Sequence, residues 1–272
     1  MAAMRRMTGA VACLAVVLLC LAWGCSRKEP PGAEALADAR EAYAKGFYLE
    51  AESGYERYLQ TAPEGEHRRE AWDRLVEISL TIKDDKEKAA ALLEAMYLEF
   101  GQRPDQAWSI LYQLGEVQEA RGDKAKALDA WEKCLDLAAR DSERAASAQM
   151  RMARLYRRQG SYDLVVDVLR NCAKHAGSET SRADCLYELA QAYGFIHSYG
   201  QALETLDAIL AMDGVDPEKK ALATLLKVDV LEHQRRWDEA RELLLTIQDT
   251  YPNPLVVQSR LKNLEENAAL DR

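Results

Sequence analysis

Residues 108 to 135 read WSILYQLGEVQEARGDKAKALDAWEKCL, two amphipathic segments that meet at Gly122. In the second segment Ala127, Trp131 and Cys134 stand four and then three positions apart, so they share one face of a helix. The small residue marks where a neighbouring helix can come close. The large ones fill the space beside it.

The same plan recurs in GFYLEAESGYERYL (46 to 59), GSYDLVVDVLRNCA (160 to 173), HSYGQALETLDAIL (197 to 210) and RRWDEARELLLTIQ (235 to 248). Its small position falls at Ala51, Ala89, Ala127, Val165, Ala202 and Ala240, in steps of 38, 38, 38, 37 and 38. A large apolar residue follows four places on, at Tyr55, Leu93, Trp131, Leu169, Leu206 and Leu244. A third column holds Tyr58, Met96, Cys134, Cys172, Ile209 and Ile247. A second amphipathic segment precedes each such helix, as in AQMRMARLYRRQG (148 to 160), and polar breaks such as GQRPDQ, AGSETSR and DGVDPEKK separate the units. Asp216-Pro217-Glu218 combines a side-chain cap, a proline at the first helical position and an acid in the first turn.

Leu114-Gly115, Gly122, Ala127, Trp131 and Cys134 resemble the tetratricopeptide repeat (TPR) pattern, whose units usually run to about 34 residues. The linkers here are longer. The resemblance implies an all-α, right-handed solenoid of about six helix-turn-helix repeats, at 32–69, 70–107, 108–145, 146–182, 183–220 and 221–254, with a closing helix at 255–270. It also implies protein binding, through the inner face for peptides and the outer face or edges for larger partners.

Upstream of the repeats, Arg5 and Arg6 precede an uncharged, mostly apolar run from Ala10 to Trp23, then Gly24 and Cys25. This is a secretory signal pattern, too short for a comfortable membrane span, which needs about 20 apolar residues. Leu21-Ala22-Trp23-Gly24-Cys25 resembles the lipobox of bacterial lipoproteins, with Leu one place early and Trp before Gly. It implies a signal peptide at 1–24, lipidation of Cys25 and a short tether over 25–32, ahead of the solenoid at 33–270. An uncleaved inner-membrane anchor is the rival reading. The tether reaches at most about 28 Å when extended. Ser26 lacks the aspartate that holds many lipoproteins at the inner membrane, which favours the outer membrane.

The chain carries 36 basic and 45 acidic side chains, a balance of −9 that falls to −11 if Arg5 and Arg6 leave with a signal. Interspersed charge of this sign argues against nucleic acid, which needs clustered Lys and Arg. No zinc spacing, phosphate loop or nucleophile elbow occurs, and His67, His175, His197 and His233 lie far apart. The expectation is therefore no enzyme, no metal, no cofactor and no small-molecule substrate. Arg121-Gly122-Asp123, an adhesion tripeptide by spelling, reads as the turn between two helices. Among the cysteines, Cys172 and Cys185 could bridge if carried by adjacent antiparallel helices. The favoured reading is two small buried thiols.

Projected onto the TPR pattern, the first helices bring Arg40, Tyr43, Arg74, Ile78, Tyr112 and Glu116 to a groove, followed by Arg154 with Arg157 or Arg158, Tyr187, Gln191, Asp229 and Glu232. Arg151, Arg154 and Arg158 form one basic stripe, either a binding surface or a solvated face paired with nearby acids. The lipid anchor, tether and repeats together resemble the TPR lipoproteins of barrel assembly and the pilotins of pilus systems. They imply a non-catalytic envelope scaffold or assembly factor that binds other envelope proteins or peptides and reaches the membrane through its lipid. A regulatory subunit of a cell-wall synthase or hydrolase and a self-assembling structural scaffold are the alternatives.

Overall fold

The computed structural model describes residues 30–248 and 251–271. The signal and lipidation readings at 1–24 and Cys25 lie outside the described residues. Those residues contain helices and no strand, in two compact units, one ending at Asp84 and the other beginning at Asp85.

The first unit holds α1 (Ala33–Ala44), α2 (Tyr48–Thr61) and α3 (Arg68–Glu77), which runs into a π-helical turn at Ile78–Ile82. α1 and α2 pack against each other where Gly54 faces Ala39; a Cβ built on Gly54 would sit 2.7 Å from the Ala39 methyl. Only hydrogen fits there. Tyr58 closes the far end, accepting a hydrogen bond from the His67 amide through its hydroxyl at 3.1 Å.

The second unit runs through α4 (Lys86–Phe100), α5 (Pro104–Arg121), α6 (Lys124–Ala138), α7 (Ser142–Arg158) and α8 (Tyr162–His175). It continues with α9 (Glu179–Phe195), α10 (Tyr199–Leu210), α11 (Pro217–His233), α12 (Trp237–Ile247) and α13 (Pro254–Leu270). Each helix packs on its neighbours in sequence. In addition α9 packs directly on α7 and α11, so the first helices of successive repeats form one layer. None of the described helices is long and apolar enough to cross a membrane.

The three columns read from the sequence form the core, and no member is more than 7% exposed. Trp131 is fully buried with its ring against Gly115, where an added Cβ would lie 2.3 Å from the indole nitrogen. Helix starts are capped by side chains: Asp85 accepts from the Lys88 amide at 2.8 Å, Asp123 from Lys126 at 3.2 Å and Asp216 from Glu218 at 3.3 Å. Arg121-Gly122-Asp123 is accordingly an end-of-helix turn followed by a cap.

A fourth column appears in the backbone. Positive φ recurs at Gly46, Asp84, Gly122, Gly160, His197 and Arg235, all at the turn between the two helices of a repeat. Their spacing matches the steps of the small column. Glycine takes this conformation freely, whereas an L side chain pays about 1–2 kcal/mol.

Cys172 of α8 and Cys185 of α9 are joined by a disulfide, with Cα atoms 5.8 Å apart. This corrects the expectation of two free thiols. The short link at Ala176 to Ser178 turns the chain back, so the third column of one repeat faces the first helix of the next. Cys134, one repeat earlier, remains a buried thiol that donates to the Trp108 carbonyl at 3.5 Å, and burial pushes its pKa up to about 12.

Two predictions follow from this packing. Gly122→Ala has open space for its methyl and so should lose only the backbone term, about 1 kcal/mol in urea unfolding; Arg235→Gly should change stability in the opposite direction, by less, because Arg235 also pairs with Asp271 at 2.8 Å. Alkylation at pH 8 should leave Cys134 unmodified in the folded chain. In denaturant without reductant it should label Cys134 while Cys172 and Cys185 stay linked; alkylated Cys172 or Cys185 in that sample would refute the bridge.

Candidate functional site

In the first unit the expected groove residues meet as a charged cluster. Arg40 of α1 grips Glu70 of α3 through two nitrogens, at 2.7 and 2.5 Å, which holds the Glu70 carboxyl below the usual range. Arg74 lies over the Tyr43 ring, 4.5 Å from its centroid, and pairs with Glu77 at 2.6 Å. Ile78 is fully buried and belongs to the core. Its place in the projected groove is therefore corrected, because the π-helical turn that begins there directs it inward. A cavity of about 660 Å³ opens beside Arg40, between Leu36, Tyr58 and Pro63.

In the second unit Trp108, Tyr112 and Glu116 line the same face of α5. Trp108 stacks on Tyr112 with centroids 4.9 Å apart, Arg144 covers Trp108, and Arg151 reaches over Tyr112 to donate to its hydroxyl at 3.0 Å. Arg151 also pairs with Glu116. Arg158 pairs with Glu119, and Arg157 with Glu188 while donating to Gln191 at 3.3 Å. Most of the arginine-rich middle is thus neutralised by the preceding or following first helix. Arg154 is the exception: it is exposed and has no ion pair among the described residues.

Two cavities lie along this layer. One, of about 240 Å³ between α5, α7 and α9, is lined by Tyr112, Met150, Arg151 and Arg154 with Ser181 and Cys185. Its acids are engaged: Glu143 accepts from Ser181, and Asp184 pairs with Lys219. The other, of about 690 Å³, is mostly apolar and lies between α9 and α11. Tyr187 and Gln191 form one wall, Leu222, Leu225 and Leu226 the other, and Phe195 stands at its rim, 67% exposed and stacked on Tyr162 at 5.3 Å.

Asp229 also lines the second cavity, and both Asp229 and Glu232 are held by Arg260 of α13. Burial raises the Glu232 carboxyl above its ordinary value, against the pull of Arg260. His197 and His233 approach Tyr199, His197 through a 2.7 Å hydrogen bond and His233 by stacking. Projection of the first helices found Tyr187, Gln191 and Asp229 but missed the leucine wall and Phe195. The available signal was the leucine content of α11, which is apolar on more faces than core packing requires.

Models of the tetratricopeptide repeat match residues 109–139 and 187–253. Those two stretches are tetratricopeptide repeats. No curated protein sequence matches it. Among solved structures, the TPR-like repeats of a putative kinesin light chain from Podosopora anserina superpose with a TM-score of 0.53 at 19% identity, over 72% of this chain and 98% of that one. BtubC from P. vanneervenii gives 0.51 at 15% identity, over 82% and 93%. PilW, described as a widely conserved type IV pilus biogenesis factor, gives 0.52 at 19% identity, over 85% and 98%. These likenesses are of fold alone; the repeat models are what support a protein-interaction scaffold.

The charge pairing in the TPR groove can be checked by stability. Arg154→Glu should shift the urea midpoint by the equivalent of less than about 0.5 kcal/mol, as expected where no partner is lost. Arg151→Met, which strips both Tyr112 and Glu116 of their partner, should cost about 1 kcal/mol. Equal losses would show that Arg154 has a partner of its own.

Proposed function

We propose that this chain is a non-catalytic scaffold or assembly factor of the bacterial envelope, lipidated at Cys25, that binds another envelope protein in the layer formed by its first helices. The observation that carries the reading is the open surface on the two sides of α9, with Arg154, unlike its neighbours Arg151, Arg157 and Arg158, free of an ion pair among the described residues on one side and a large apolar cavity on the other. Tyr and Arg are the side chains that most often supply binding energy at protein interfaces. Tyr112, Arg154, Tyr187 and Gln191 are the proposed contact residues, with Arg151 and Arg158 positioning the surface through their acid partners. In the first unit Arg40, Tyr43 and Arg74 present a second, charge-paired face.

The Cys172–Cys185 bridge supports placement outside the cytosol, since disulfides persist in oxidising compartments. The secretory pattern before Cys25 supports the same placement, and Ser26 favours the outer membrane. PilW, similar in fold, acts in pilus biogenesis, and the reading taken from it is the class of assembly factor alone.

A photocrosslinking residue placed at Tyr112 and, separately, at Arg154 of the full chain in its own envelope tests the groove, with exposed second-helix positions Glu132 and Glu204 as controls. The expected result is one shared protein captured at the first two and not at the controls. Capture at Glu132 or Glu204 alone would move binding to the outer face. In the same strain the chain should incorporate radiolabelled palmitate and lose that label on Cys25→Ala, and an unlabelled parent chain would favour the uncleaved anchor.

A further inference from the structure

We infer that the groove takes a single extended segment of a partner protein, which presents a carboxylate to Arg154 and, about four or five residues away, a bulky apolar side chain to the cavity of Leu222, Leu226 and Phe195. The inference rests on the groove reading above and specifies the chemistry of its occupant.

The register of the repeats sets the geometry. Glu116, Arg154, Gln191 and Asp229 occupy one position on successive first helices, in steps of 38, 37 and 38. The row runs across the helices, and so would a segment laid along it. Three of its four members are engaged from within the chain: Glu116 by Arg151, Gln191 by Arg157 and Asp229 by Arg260. Arg154 alone offers an unanswered charge, and it is positive in a chain whose balance is −9. A carboxylate is the group that complements it, through paired hydrogen bonds to a planar guanidinium.

The second contact lies at the same level, between the next two first helices. Tyr187 and Leu225, one step apart in the neighbouring row that begins at Tyr112 and Met150, face each other across the 690 Å³ cavity. Its lining is mainly leucine and aromatic, and Phe195 at its edge exposes two thirds of its surface to solvent. An aromatic or long aliphatic side chain would cover both. Packed helix axes are separated by about 8–10 Å, so the middle of the cavity lies roughly one and a half separations from α7, about 12–15 Å. An extended chain advances about 3.3 Å per residue, which gives the spacing of four or five.

Selection of a random dodecapeptide phage library on the full chain tests this directly. Enriched peptides should carry Asp or Glu four or five places from Phe, Trp, Leu or Met. Their affinity should fall at least tenfold on Arg154→Glu and on Phe195→Glu, both substitutions at exposed positions whose folding is verified by thermal melts. Exchanging the peptide acid for Lys should restore binding to Arg154→Glu and to no other variant. Peptides that lose binding in both variants but lack the spaced pair would overturn the two-point occupant and leave the groove reading intact. Peptides indifferent to both variants, or no enrichment at all, would also overturn it, while the crosslinking result stands independently.

Discussion

Helices in this protein approach one another at positions where almost no side chain exists. Ala127, Ala202 and Ala240 are wholly buried, and Gly115 lies flat against the Trp131 indole. Filling such a contact forces either the ring or the backbone to move, a cost of about 1–3 kcal/mol in a packed core. Every other dimension follows from this approach. It brings the four-residue and seven-residue columns into register with the next helix and fixes the repeat near 38 residues. It also stacks the first helices closely enough for α7, α9 and α11 to touch.

Once the columns are spent on the core, the exposed face of each first helix carries what remains, and the chain uses most of that for internal pairing. Arg151 reaches back one repeat to Glu116, Arg158 to Glu119, and Lys219 to Asp184. Such partly exposed pairs add little stability singly. Their effect on the surface is larger: they engage Arg151, Arg157 and Arg158 around Arg154 and leave that arginine and the leucine wall as distinctive features of the layer. Binding character thus arises by subtraction, from the few groups that packing and pairing leave unused.

The helical core was legible because 18 column positions repeat at one period and all are apolar or small. The turn column was legible only at its glycines, Gly46, Gly122 and Gly160. Asp84, His197 and Arg235 take the same positive φ without being glycine, which a composition cue cannot reveal. The disulfide was hidden for a different reason, since whether Cys172 meets Cys185 depends on where the second helix returns. Arginine pairing was concealed by distance along the chain: Arg151 and Glu116 lie 35 residues apart, adjacent only after one repeat is added to the register. Leu222 and Leu226 were not singled out, because spacing identifies an apolar face without saying whether another helix covers it.

The bridge between α8 and α9 has a mechanical consequence. In a stacked array each repeat is held mainly by its neighbours, so disruption can begin at an end and travel inward one repeat at a time. Cys172 belongs to the fourth repeat and Cys185 to the fifth, so their bond spans a border that would otherwise part by loss of side-chain contacts alone. A pull or a fraying front arriving from the C-terminal side meets a covalent stop there. It lies beside the wall of the Arg154 cavity, which Cys185 helps to line. The Arg154 cavity thus sits against a closed border, whereas α11 with its leucine wall lies on the C-terminal side of the stop and is held by non-covalent contacts alone.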